Sequence, residues 1–149
     1  MTQVEFDLEM ARLRTQRAEA IDMAEKEYFA DRKKQIQLFT DTDKALRDRL
    51  TSAETMREEL QKTLDEIVME TGNKDCTRGI KQMALIREQK MLETTIRRER
   101  EALKRDHYIT LQELTRGFHH LCRAANSEWD LAKLRLTEKR RKTECVEEA

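Results

Sequence analysis

The chain of 149 residues carries 30 Lys/Arg against 30 Asp/Glu, with 40% charged, 38% hydrophobic and 5% aromatic residues, no proline and three glycines. A compact domain of this length normally uses more proline and glycine for its turns, so the composition excludes a loop-rich or sheet-rich fold and points to long helices. High charge also suits disorder, but charges of alternating sign and regularly spaced Leu, Ile and Met argue against it everywhere except toward the C-terminal end.

From Met1 to Ala24 the apolar residues Phe6, Met10, Leu13, Ala20 and Ala24 follow a heptad seam, with Arg17 in the vacant slot. Between Glu25 and Asp43 the rhythm loosens and three of the seven aromatics gather, Tyr28, Phe29 and Phe39. A wider helix contact or a phase shift in the seam is expected there. Thr40-Asp-Thr-Asp43 is the weakest helical stretch of this arm, because its residues favour caps and turns. Leu46, Leu50, Ala53, Leu60, Leu64 and Ile67 then form the cleanest seam in the chain, with Arg57 out of pattern. Thr51-Ser-Ala-Glu54 has the form of a capping box, but the seam runs through it and it reads as helix interior.

Gly72 and Asn73 follow, residues that accept the left-handed backbone at a helix end, and Asp75 or Thr77 is expected to cap a second helix. Ile80, Met83, Leu85, Ile86, Leu92, Ile96 and Leu103 carry the first half of that second arm. Leu111, Leu114, Phe118, Leu121, Ala125, Trp129, Ala132 and Leu136 carry its second half. Gly117 falls mid-helix, where it costs about 1 kcal/mol relative to alanine and suggests close approach of another helix. Trp129 is expected to be buried, opposite the region of Ala18, Ala20 and Ile21, where small alanines face the large ring.

These elements predict an all-α, coiled-coil-like antiparallel hairpin of two long helices. Its first arm spans 3–70, its turn 71–76, its second arm 77–142, and a frayed tail follows over 143–149. The doubled apolar stripes, such as Leu38 with Phe39 and Leu85 with Ile86, exceed what one partner helix covers, so self-association into a homodimer is expected. The alternative fold is a compact three- or four-helix bundle broken at Asp41–Asp43 and Asn126–Ser127. In length and outline the chain resembles the two-helix stalk proteins of type III secretion and flagellar export, an architectural likeness carried by no diagnostic residue.

The charge is uneven. Residues 1–72 hold 12 Lys/Arg and 17 Asp/Glu, a net of −5, and residues 73–149 hold 18 and 13, a net of +5. An antiparallel hairpin lays the acidic arm along the basic one, with Glu5, Asp7 and Glu9 expected to face the basic run near the other terminus. That run, Lys133, Arg135, Lys139, Arg140, Arg141 and Lys142, supplies the candidate contacts to a partner or to phosphate.

Catalytic patterns are missing: no G-x-S-x-G, no P-loop, no dinucleotide-binding glycines and no H-E-x-x-H. His119 and Cys122 share a helical face, but four zinc ligands cannot be assembled from this chain. Neither an enzyme, a metal nor a cofactor is expected. Cys76, beside Lys74 and Arg78, has surroundings that favour a thiolate. Three widely spaced cysteines suit a reducing cytoplasm, and neither a transmembrane helix nor a secretory signal is expected. The function expected is a non-enzymatic scaffold, adaptor or spacer with an unidentified protein partner. The alternative is a nucleic-acid-associated protein that holds phosphates through its basic C-terminal helix.

Overall fold

The computed structural model describes residues 1–148. Two long helices, α1 (Gln3–Thr71) and α2 (Thr77–Glu148), pack against each other as a hairpin, and the described residues contain no strand. Helix is continuous through Asp41–Asp43 and through Asn126–Ser127, so the broken three- or four-helix bundle does not form. The cap-prone residues of the first site find partners without leaving the helix. Thr40 donates its hydroxyl to the Ile36 carbonyl (2.8 Å), and Asp43 accepts from Arg47 (3.2 Å) and Arg100 (3.0 Å). Local bonds that compete with helix elsewhere are absorbed by it here.

Helix α1 opens on a capping box that sequence reading missed. The Thr2 hydroxyl accepts from the Glu5 N–H (3.2 Å), while the Glu5 carboxylate accepts from the Thr2 N–H (3.0 Å). At its other end Gly72 takes φ +70°, and its N–H bonds the Val68 carbonyl (2.7 Å), the single bond of a left-handed cap. The Asn73 side-chain oxygen accepts from the Asp75 N–H (2.9 Å), folding the turn over itself. Neither Asp75 nor Thr77 then caps α2. That place belongs to Cys76, whose thiol sulfur accepts from the Gly79 N–H (3.3 Å) while its carbonyl accepts the first helical bond from Ile80 (2.9 Å). Gly79 is buried because the Lys74 carbonyl oxygen occupies the space a side chain would need.

The tail expected to fray over 143–149 is helical as far as Glu148, and residue 149 lies outside the described residues. The Arg140–Glu144 pair (3.1 Å) and the Thr143 hydroxyl on the Lys139 carbonyl (2.9 Å) support those last turns.

The chain divides into two compact units. The turn-proximal unit, Gln35–Ile109, has an aliphatic core in which Leu46, Ala53 and Ile96 are buried and Leu50 and Leu103 pack against them. Leu64, Ile67 and Ile86 continue this seam toward the turn. Arg57 breaks the apolar pattern because its Nε reaches both oxygens of Glu93 (2.9 and 3.1 Å), and Glu93 is only 3% exposed. The irregular stretch of α1 ends in the phase shift its sequence suggested. Gln35, Phe39 and Asp43 are partly covered at consecutive four-residue steps before the seam resumes at Leu46. Phe39 stacks on His107 there, with ring centroids 4.2 Å apart.

The second unit, Met1–Lys34 with the chain from Thr110 onward, is held differently. Ala24, Ala125 and Leu136 are its buried apolar residues, and rings fill much of the remaining seam. Tyr28 stacks on Phe118 (4.9 Å between centroids) and its hydroxyl bonds the Thr115 hydroxyl (3.1 Å). Guanidinium groups cover two further rings, Arg17 over Trp129 (4.9 Å) and Arg140 over Phe6 (4.5 Å). Trp129 is therefore half-covered and not buried among alanines, since the out-of-pattern Arg17 fills the slot above it. Gly117 is not a site of close approach within the chain either, because a Cβ built there meets nothing within 4 Å.

Candidate interaction surfaces

The six basic residues near the C-terminus do not act as one patch. Leu136 is buried against α1, which puts Arg140, one turn later, on the same inward face. Arg140 is committed there: besides the Phe6 ring it engages the Gln3 side-chain oxygen and Glu144. Lys133 leans toward Trp129, its Nζ 5.9 Å from the ring centroid. Arg135, Lys139, Arg141 and Lys142 are exposed, and among the described residues no ion pair engages their side chains. The spacing of Arg135, Lys139 and Lys142 aligns them on one flank of α2, with Arg141 on its outer side.

The expected match of this run to Glu5, Asp7 and Glu9 does not occur. Glu5 serves the capping box, Asp7 accepts from Gln3 (3.0 Å) and Glu9 pairs with Arg12 (2.9 Å), all within α1. Helix N-terminal acids meet their own helix first, because partners three or four residues away cost less chain ordering than partners across the seam. Among the described residues, the ion pairs between the helices lie in the turn-proximal unit instead. Three of them set an α1 acid against an α2 base: Asp43–Arg100 (3.0 Å), Glu54–Arg97 (3.2 Å) and Glu70–Arg78 (3.4 Å). Two reverse that sense, Arg49–Glu99 (3.4 Å) and the buried Arg57–Glu93 (2.9 Å). In Asp43–Arg100, the hydrogen bond from the guanidinium lowers the Asp43 pKa from its ordinary value against the opposing effect of burial, with help from the positive charges of Arg100, Arg47 and Lys104.

Cys76 is half-buried at the start of α2. The Gly79 N–H lowers its thiol pKa, opposed by desolvation and helped by the Thr71 hydroxyl and by the N–H and charge of Arg78. The lowered pKa raises the fraction of the thiolate, the nucleophilic form of the side chain. Only the flanking Lys74 and Arg78 hinted at it in the sequence; the cap role was hidden because cysteine is an uncommon capping residue. His119 is exposed and Cys122 half-covered, and no three His, Cys, Asp or Glu side chains converge among the described residues.

Shallow grooves flank the seam within each unit. In the terminal unit one of about 280 Å³ runs between Ala24, Tyr28 and Asp31 of α1 and Gly117, Phe118 and Leu121 of α2. In the turn-proximal unit one of about 410 Å³ is lined by Ala53, Met56, Leu92 and Ile96. Beside them, large apolar side chains stand exposed along both helices, among them Met23, Phe29, Leu38, Leu85, Leu121 and Leu131. Among the described residues, no helix is long and apolar enough to cross a membrane.

A hairpin of two helices with apolar flanks defines a class of architecture and no particular chemistry. Comparison with protein families, curated proteins and solved structures returns no match to this chain.

Proposed function

We propose that the protein is a non-enzymatic helical scaffold or spacer that works by protein–protein interaction, through self-association and through a further protein partner. One observation carries this: the hairpin seam is filled, yet Met, Leu and Phe side chains remain exposed beside it in both units. The groove of Ala53, Met56, Leu92 and Ile96 gathers such side chains into one apolar patch, and patches of that kind mark interaction sites. Photo-crosslinking tests the proposal. A photoreactive residue in place of Leu92, in the full chain and in its native host, is expected to give discrete protein adducts. Adducts to nucleic acid alone, or none, would overturn it.

The aligned and unpaired Arg135, Lys139 and Lys142 favour a second reading, phosphate contact by the C-terminal helix. Micromolar binding to duplex DNA or RNA at low salt, falling steeply as salt rises, would support that alternative.

A further inference from the structure

We infer that the flank of the terminal unit carrying Gly117 and Leu121 is the surface on which a second copy of this chain docks, antiparallel and about a two-fold axis. The inference rests on the scaffold reading and names its first partner. Along α2, steps of three and four place Glu113, Gly117, Leu121, Ala124 and Glu128 in one row, which continues through Leu131 to Arg135, Lys139 and Lys142. Beside its first part lie Ala20, Glu27 and Asp31 of α1, across the two grooves that follow the seam on this side. The flank is thus acidic at one end and basic at the other, and its middle is small and apolar apart from Glu128.

Such an order is complementary to itself. With the axis midway between Glu113 and Lys139, Glu113 meets Lys139 of the second copy, Leu121 meets its Leu131, and Gly117 lies opposite its Arg135. Ala124 lies opposite its Glu128, and the same four contacts recur on the other side of the axis, as two-fold symmetry requires. Leu121 and Leu131 are 48% and 53% exposed in the single chain, so each has surface to lose. Glu27, Asp31 and Glu113 are exposed and engaged by no ion pair among the described residues, as are Arg135, Lys139 and Lys142. Both charged ends are therefore open to a partner.

Gly117 is the independent clue. A glycine inside a helix costs about 1 kcal/mol relative to alanine, and nothing within 4 Å in this chain requires one. A second backbone arriving at that flank would. The length agrees as well: from Glu113 to Lys139 the row runs roughly 40 Å at 1.5 Å per residue. Two helices wide, that strip approaches the area of about 800 Å² per partner that a stable dimer needs.

Charge exchange tests the arrangement. One full-length variant carries Arg135→Glu, Lys139→Glu and Lys142→Glu, making both ends of its flank acidic. The other carries Glu27→Lys, Asp31→Lys and Glu113→Lys, making both ends basic. All six positions are exposed, so unchanged helical circular dichroism is the control for folding. Sedimentation equilibrium is expected to show a wild-type dimer at tens of micromolar, each variant alone weakened by about tenfold or more, and a dimer restored on mixing them. A monomeric wild type would overturn the inference, meaning that a different protein covers the flank. Variants that dimerise alone as tightly as the wild type would overturn it too, as would a mixture that stays monomeric. A monomeric wild type also removes self-association from the scaffold reading, but none of the three results touches the further protein partner that crosslinking tests, so that part fails separately.

Discussion

Glu93 shows how a charged residue lives inside a helix–helix seam. It is 3% exposed, and both its oxygens depend on Arg57. Arg57→Ala should leave that carboxylate buried and unpaired, costing about 3 kcal/mol in urea unfolding, the low end for a broken buried pair because Arg57 itself still reaches water. Arg57→Leu combined with Glu93→Leu should recover most of the loss. Asp43 makes the complementary case for pH. Its folded-state pKa lies below its unfolded one, so its stabilisation is complete above the ordinary aspartate value of about 3.9 and disappears as pH falls through the lowered folded value. Between about pH 5 and pH 3 the urea midpoint of Asp43→Asn should therefore fall less than that of the wild type. Cys76 extends the argument to reactivity. With its thiol pKa lowered, iodoacetamide near neutral pH should modify Cys76 ahead of the more exposed Cys145, as peptide mass spectrometry would read.

At the scale of elements, two glycines with the same composition signal behave in opposite ways. Gly79 sits in the first turn of α2 with the Lys74 carbonyl where its Cβ would stand, so Gly79→Ala must push the turn away from the helix. Gly117 faces open space in mid-helix. At concentrations where the chain is monomeric, Gly79→Ala should destabilise by about 1 kcal/mol or more, and Gly117→Ala should stabilise by about 0.5–1 kcal/mol. Thermal unfolding of the two variants side by side would separate them by sign. The capping devices differ in the same manner. Thr2-x-x-Glu5 bonds reciprocally at the start of α1, whereas the identical pattern at Thr51-x-x-Glu54 is overridden, with Ala53 buried and Glu54 drawn across the seam to Arg97.

At the scale of the whole molecule, each unit has its own chemistry. The turn-proximal unit combines aliphatic burial with ion pairs between its helices, while the terminal unit relies on stacked rings and guanidinium groups over rings. Salt weakens exposed ion pairs such as Arg97–Glu54 and leaves ring stacking nearly unchanged. Raising sodium chloride at neutral pH should therefore accelerate amide hydrogen exchange more within Gln35–Ile109 than within the terminal unit. Equal acceleration in both would show that the cross-helix pairs contribute nothing measurable.

Periodicity and the scarcity of helix breakers determined the hairpin by themselves. Apolar residues at three- and four-residue steps define a seam, and Gly72-Asn73 is the strongest break in it, since a left-handed backbone there ends a helix wherever the rest of the chain lies. The loosened rhythm over Glu25–Asp43 left a wider helix contact and a phase shift both open, and the covered Gln35, Phe39 and Asp43 at four-residue steps decided between them. The partners of the charged and aromatic residues were decided only in the folded chain. Glu5, Asp7 and Glu9 were close to the basic run in antiparallel register yet bonded within α1, and Trp129 met Arg17 where alanines were expected. Such choices turn on differences of about 1 kcal/mol between a local contact and a cross-seam one. Differences that small depend on side-chain rotation and cover at each position, which spacing along a sequence does not specify.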